Sequence, residues 1–292
     1  MGAARTEHLA AFLLTASVCG CGARLASIDE RVFLVEGAGG ASNQLVLDTG
    51  HGPVVVDARL DPHLTDEINR KISAATRWET PAYVINSSGL PYRWLTNYRF
   101  PKAEIIASAA TRRFMAERSP EFLKDLLALE KPPAWAAEIN PVFPTLDFES
   151  KLVLRTPQFQ IVILEMPPGV APGNSVIFIP EKGILYGGDI VTRGTAPILR
   201  YADPAAWLEC LERLRRMPLR TVAPGFGRAA PPSLIDEVAR AVGAIETYDG
   251  GGIPPEIANL WNEDAALKRK LDEYLAAAKN SPERRSKSAT AR

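Results

Sequence analysis

Histidine is scarce in this chain: 292 residues hold only His8, His51 and His63. Catalytic zinc draws about three protein ligands from His, Asp, Glu or Cys and keeps one further position open for water. A centre rich in imidazole is therefore excluded unless all three histidines converge, and His51 in the turn Thr49-Gly-His-Gly-Pro53 and His63 beside a helix start read as bland surface positions. Cysteine is equally short. If Cys19 is removed and Cys21 modified at the N-terminus, Cys210 is left alone in the body, no intramolecular disulfide can form, and stability must come from the core. Neither sign of charge dominates, since Lys+Arg and Asp+Glu are both 34. That balance removes the electrostatic case for nucleic acid or an anionic surface as partner. The apolar run over 9–18 is ten residues long, well below the ~20 needed to span a bilayer.

A run of that size followed by small residues matches a signal-peptide core. Val18-Cys-Gly-Cys21 resembles a bacterial lipoprotein box with Cys21 as the lipidated residue. Export is expected, to the periplasm or to an outer-membrane anchor in a bacterium, with membrane attachment only through that lipid; the alternative is an uncleaved or mis-started N-terminus. The chain then divides into a signal segment (1–21), a linker (22–30), the folded body (31–250), a helical extension (251–279) and a basic, disordered tail (280–292).

Hydrophobic residues make up 46% of the chain, enough for one large core or two modest ones. The body opens with β-rich stretches over 31–36, 43–48 and 54–57, a helix over 62–75 and a buried strand ending at Ile85. Helical stretches follow over 109–117 and 120–130. Short runs over 142–143, 151–155, 159–164, 175–179 and 183–186 read as antiparallel strands. The stretch 203–217 predicts a helix capped by Asp203, with Pro204 in its first turn and Cys210 packed beside the stripe of Trp207, Leu208, Leu211 and Leu214. A last strand is expected over 221–224, then helices over 231–248 and 257–278, the latter with Leu260, Trp261, Leu267, Leu271 and Tyr274 along one side.

Chemistry in layered α/β chains usually sits on loops aimed by strands, which directs attention to Val84-Ile-Asn-Ser-Ser-Gly-Leu-Pro-Tyr-Arg-Trp-Leu-Thr-Asn97. This stretch, together with Phe100-Pro101 and Ile105-Ile106-Ala107, resembles the metal-binding loop of the metallo-β-lactamase superfamily and its frame. Three further segments carry the resemblance: Pro168-Gly-Val-Ala-Pro-Gly-Asn-Ser175, Ile184-Leu-Tyr-Gly-Gly-Asp189 and Val222-Ala-Pro-Gly-Phe-Gly227. The resemblance runs from about Arg31 to Gly227 and implies an α+β fold, a four-layer αββα sandwich of the metallo-β-lactamase type. It also places Ser88, Leu90, Tyr92, Arg93, Val170, Asp189 and Phe226 at the seven positions where the family has metal ligands. Only Asp189 is a ligand type. Zinc is expected of the family, but on this ligand set no metal or other cofactor is expected here. Asp57 stands where the family has an aspartate that hydrogen-bonds the metal loop; a structural role accepting backbone N–H groups is expected of it.

A buried bare carboxylate at Asp189 is costly. Arg93 is therefore expected to pair with it, Tyr92 or Ser88 adding a hydrogen bond and Leu90, Val170 and Phe226 forming apolar wall. Ser87, Ser88, Leu90, Tyr92, Arg93, Val170, Asp189 and Phe226 are the candidates to line a ligand pocket. Three functional readings stand. The first is a non-hydrolytic relative that binds a small ligand or an exported protein partner. The second is an enzyme of altered, metal-independent chemistry drawn from Ser87, Ser88, Tyr92, Arg93 and Asp189. The third is a hydrolase whose metal is held by other ligands.

Overall fold

The computed structural model describes residues 23–37, 40–262 and 265–280. The apolar run at 9–18, the Cys21 motif and the tail after residue 280 lie outside the described residues. Seven strands form the first sheet in chain order: β1 (Arg24–Asp29), β2 (Val32–Glu36), β3 (Gln44–Asp48), β4 (Pro53–Val56), β5 (Tyr83–Ile85), β6 (Glu104–Ser108) and β7 (Leu146–Phe148). Pairing is antiparallel from β1 to β4 and parallel from β4 to β7. The second sheet has the order β12-β11-β10-β9-β8, from β8 (Lys151–Arg155), β9 (Gln160–Glu165), β10 (Ser175–Ile179), β11 (Ile184–Tyr186) and β12 (Thr221–Ala223).

Side-chain alternation stacks these sheets. Val32 and Leu34, Leu45 and Leu47, and Val54 and Val56 face inward and meet Ile161, Ile163, Ile177, Ile179, Ile184 and Tyr186 of the other sheet. Their neighbours Val35, Val46 and Val55 turn outward onto Ile68 and Ile72 of α1 (Pro62–Thr76). On the far side, Val162, Val176, Phe178, Leu185 and Val222 join a larger cluster with α2 (Ala109–Leu127), α3 (Pro204–Arg215), α4 (Leu234–Glu246), α5 (Pro255–Leu260) and α6 (Ala265–Asn280). Each sheet thus buries both faces, which the period-two pattern of a strand allows only when helices cover the outside. The layering is the expected αββα sandwich.

Local departures from the sequence reading have identifiable causes. The stretch 22–30, expected to be a linker, contains β1, which pairs antiparallel with β2 and packs Leu25 and Ile28 against the clusters on either face. The separate helices at 109–117 and 120–130 are one, α2, running through Pro120. Proline in a helix interior costs about 3 kcal/mol, and burial of Phe114 and Met115 before it and Phe122 and Leu126 after it offsets that cost. No strand forms at 142–143. Asn97 Nδ2 donates to Val142 O at 2.9 Å, Phe143 packs on Trp94, and the edge strand is β7 instead. β12 lies parallel to β11, an arrangement that α3 makes possible as a crossover helix.

The helix expected over 257–278 breaks at Trp261, whose backbone is extended and bridges to Gly194. Its indole donates to Thr192 Oγ1 at 2.9 Å and sits 6.1 Å from the Trp207 ring. Leu260, Leu267, Leu271 and Tyr274 are buried in the same cluster, so α5 and α6 are an integral part of the second outer layer. Residue 280, assigned to the tail, is the last of α6.

Candidate functional site

Four strand ends supply the site. Asp57 follows β4, the loop 86–97 follows β5, Gly187-Gly188-Asp189 follows β11, and Pro224-Gly225-Phe226 follows β12. Parallel strands present such loops at one edge, the usual place for a site in these architectures. The β5 loop is rigid for local reasons. Pro91 starts a 3-10 turn over Pro91–Arg93, Trp94 Nε1 donates to Gly89 O at 2.9 Å, and Asn86 and Asn97 exchange side-chain hydrogen bonds at 2.9 and 3.1 Å. Ala58 N fixes the Arg93 carbonyl at 2.7 Å. The backbone therefore aims the Arg93 side chain inward before any partner is considered.

Arg93 is fully buried between the two sheets. Its Nη2 and Nε donate to Asp189 Oδ1 at 2.6 and 3.1 Å, while Nη1 reaches Tyr186 Oη at 2.9 Å, Asn43 O at 3.1 Å and Asp57 Oδ2 at 3.2 Å. Aromatic faces close the other directions, with the guanidinium carbon 5.2 Å from the Tyr92 ring centre and 5.1 Å from that of Phe226. Tyr92 Oη donates to Asp189 Oδ1 at 3.1 Å. Ser88 takes no part in this cluster, its hydroxyl accepting from Leu90 N at 3.2 Å. Gly225 is obligatory here because a Cβ would stand 2.3 Å from Arg93 Nη2 and 2.0 Å from Gly188 O.

Asp57 is the second anchor. Its backbone is left-handed (φ 66°), an uncommon state for a non-glycine residue. The carboxylate accepts from Ser87 N at 2.7 Å, Ser87 Oγ at 2.8 Å and Tyr186 Oη at 2.8 Å, besides Arg93. Tyr186 has one hydroxyl proton, so it serves either Asp57 or Asn43 O at 2.9 Å. Asn43 in turn donates through Nδ2 to Pro224 O at 2.8 Å and Gly227 O at 2.6 Å, tying the first sheet to the β12 loop.

Burial governs the titration of this cluster. It pushes Asp57 up to about 6 against the opposing pull of Arg93 and the Ser87 N–H. It also holds the Tyr92 and Tyr186 phenols well above their ordinary range. For Arg93, burial acts downward, yet Asp189, Tyr186 and Asp57 together keep it well above the usual guanidinium value. Arg93 stays charged at any pH at which the protein is folded.

The eight candidate pocket residues converge as a packed interior. Ser87, Ser88, Leu90, Tyr92, Arg93, Val170, Asp189 and Phe226 are each at most 1% exposed. Leu90, Val170 and Phe226 sit with Tyr92 in one apolar cluster, as the wall expected of them. Asp57 accepts a backbone N–H, as a structural carboxylate would. His51 and His63 are both exposed. Cys210 is buried and free, its Sγ 3.2 Å from Pro167 O, and burial pushes the thiol up to about 12.

These side chains do not fit a zinc centre. The only carboxylate among the seven ligand positions already receives a guanidinium at 2.6 Å, and a second cation beside it would meet Arg93 at close range. Among the described residues, no group of three or more His, Cys, Asp or Glu is placed to hold a metal. Sequence reasoning missed Tyr186 and Asn43. A tyrosine in an otherwise aliphatic, inward-facing strand is the signal, since a buried hydroxyl needs a partner.

No protein-family model matches the chain, and no curated protein matches it. Solved structures do. A metallo-β-lactamase from Pontibacter korlensis superposes with a TM-score of 0.62 at 18% identity, over 76% of this chain and 99% of that one. TMB-1 gives 0.59 at 20% identity, over 76% and 98%. The stereoselective inverting sec-alkylsulfatase Pisa1 from Pseudomonas sp. gives 0.65 at 10% identity, over 87% of this chain and 50% of that one. At these identities the likeness establishes the fold, which is that of the metallo-β-lactamases.

Proposed function

We propose that this chain, built on the metallo-β-lactamase fold, is a non-hydrolytic exported protein that binds a small ligand or a protein partner, and that Arg93 has taken over the electrostatic work of the metal. One observation carries the reading: a fully buried guanidinium lies 2.6 Å from Asp189 and 3.2 Å from Asp57. A metal hydrolase needs a cation that polarises water or substrate. A guanidinium saturated by two carboxylates, a phenol and two aromatic faces supplies neither an open coordination position nor an acidic water. The protein would act in the periplasm, or at the outer membrane if Cys21 is acylated, with no nucleic-acid partner and no cofactor.

The second reading, a hydrolase of altered chemistry, has one observation in its favour. Ser87 Oγ lies 2.8 Å from Asp57 Oδ2, within reach for a nucleophile and its base. Against it, both side chains are fully buried, and the Asp57 carboxylate also serves Tyr186 and Arg93.

The test is metal content and turnover on one preparation. Protein purified, exposed to zinc and dialysed is expected to retain far less than one zinc per chain and to leave lactam and thioester substrates intact with zinc added. Near-stoichiometric zinc surviving dialysis, or turnover that a chelator abolishes, overturns the proposal. Turnover indifferent to chelator but lost in Ser87→Ala supports the second reading.

A further inference from the structure

Beside the Arg93 cluster lies a second buried arginine whose hydrogen bonds are incomplete. Arg59 is 2% exposed, two residues past Asp57 on the same edge of the first sheet. Its position is fixed at both ends. Its backbone N donates to Thr96 Oγ1 at 2.9 Å, its carbonyl accepts from that hydroxyl at 2.7 Å, and its Nε donates to Gln44 Oε1 at 3.0 Å. Gln44 is itself held by donating to Asp57 O at 2.8 Å. Yet among the described residues Nη1 and Nη2 have no hydrogen-bond partner.

A buried guanidinium left this way forfeits several kcal/mol unless acceptors reach it. Of the carboxylates that feel its charge, Glu67 pairs with Lys71 at 2.6 Å and Asp61 caps α1 through His63 N and Leu64 N. Burial, with Arg93 adding to it and Tyr186 opposing, lowers Arg59 to about 10, so it is still a cation near neutrality.

We infer that Arg59 is the anchor of an anion site, its two free η-nitrogens gripping the coplanar oxygens of a small carboxylate or similar oxyanion. The planar fork matches that geometry, and charge-assisted pairs of this kind are the strongest hydrogen bonds a side chain makes. This deepens the proposed function by assigning a ligand class, and it rests on that reading only in taking the neighbouring Arg93 as a permanent resident.

The probes are sodium acetate and inorganic phosphate, titrated against the full chain at constant ionic strength with chloride as the balancing salt. The readout is the thermal midpoint. The expected result is a saturable rise with acetate or phosphate, the apparent affinity falling at least about tenfold in Arg59→Met and remaining unchanged in Arg216→Met, a control on the surface. Acetate without phosphate marks a planar carboxylate site, and the reverse a phosphate site; both support the inference. No rise with either anion, or an equal rise in Arg59→Met, overturns it. Should Arg59→Met fail to fold, a crystal structure of the wild type grown with acetate decides: an anion on Nη1 and Nη2 supports the site, and ordered waters alone overturn it. A metal-free protein that ignores both anions rejects this site while leaving the proposed function standing.

Discussion

Replacing Arg93 by methionine is the sharpest perturbation of the charged centre. Among the described residues, the change removes every donor facing Asp189 except Tyr92 Oη, and leaves Asp57 with Ser87 and Tyr186. Breaking a buried pair by deleting one partner costs about 3–5 kcal/mol, and here two carboxylates share the loss. At ~2–4 °C per kcal/mol for a chain of this size, the thermal midpoint drops by on the order of 10 °C. The loss depends on pH in a definite direction. Stranded carboxylates titrate above their unfolded value, and Asp57 already stands at about 6 against 3.8. A group raised in this way contributes stability that is complete below the unfolded value and disappears as pH rises through the folded one. The variant is therefore weakest relative to wild type above pH ~6 and recovers toward pH ~4. Urea unfolding followed by tryptophan fluorescence at both pH values measures this, and Asp189→Leu added to Arg93→Met restores part of the loss at neutral pH. A deficit under about 1 kcal/mol, or one equal at both pH values, refutes the assignment of Arg93 as the internal counter-ion.

Two further outcomes follow from the same structure. In Asp57→Asn the ionisation is gone, so the variant's stability relative to wild type rises by about 2 kcal/mol as pH climbs from 4 to 7; parallel curves would show that burial does not govern this carboxyl. Cys210, with its thiol pushed up to about 12 and its residue buried, is expected to resist a thiol reagent in native buffer and to react at once in denaturant; fast labelling of native protein contradicts the packing role.

Much of the fold could be read from residues because strands buried on both faces leave short, continuous apolar runs such as Gln44–Asp48 and Ser175–Ile179. Strand β1 escaped because Arg24 and Ser27 dilute the pattern and because its partner β2 is what makes it a strand. Pro120 was misleading for a related reason: local propensity argues for a break, whereas Phe114 and Phe122 meet one core from both sides. At the site, the pairing of Arg93 with Asp189 could be anticipated because desolvation forbids a lone buried charge. A tyrosine among aliphatic residues marks Tyr186 as needing a partner, but which partner it meets depends on how two sheets stack, and no spacing along the chain encodes that distance. Arg59 was equally hidden, a charged residue between Ala58 and Leu60 whose burial follows from Thr96 and Gln44 folding over it.

Arg93 belongs to the first sheet by its backbone and to the second by its contacts with Asp189 and Gly225. A dissolved ion performing that bridging would stabilise the protein in proportion to the logarithm of its concentration, and the joint would slacken whenever supply fell. A side chain is delivered once, at synthesis, at a local concentration that dilution cannot change. On the proposed reading, the joint between the two halves of this sandwich would mature without a metal chaperone and hold equally well in starved and replete surroundings.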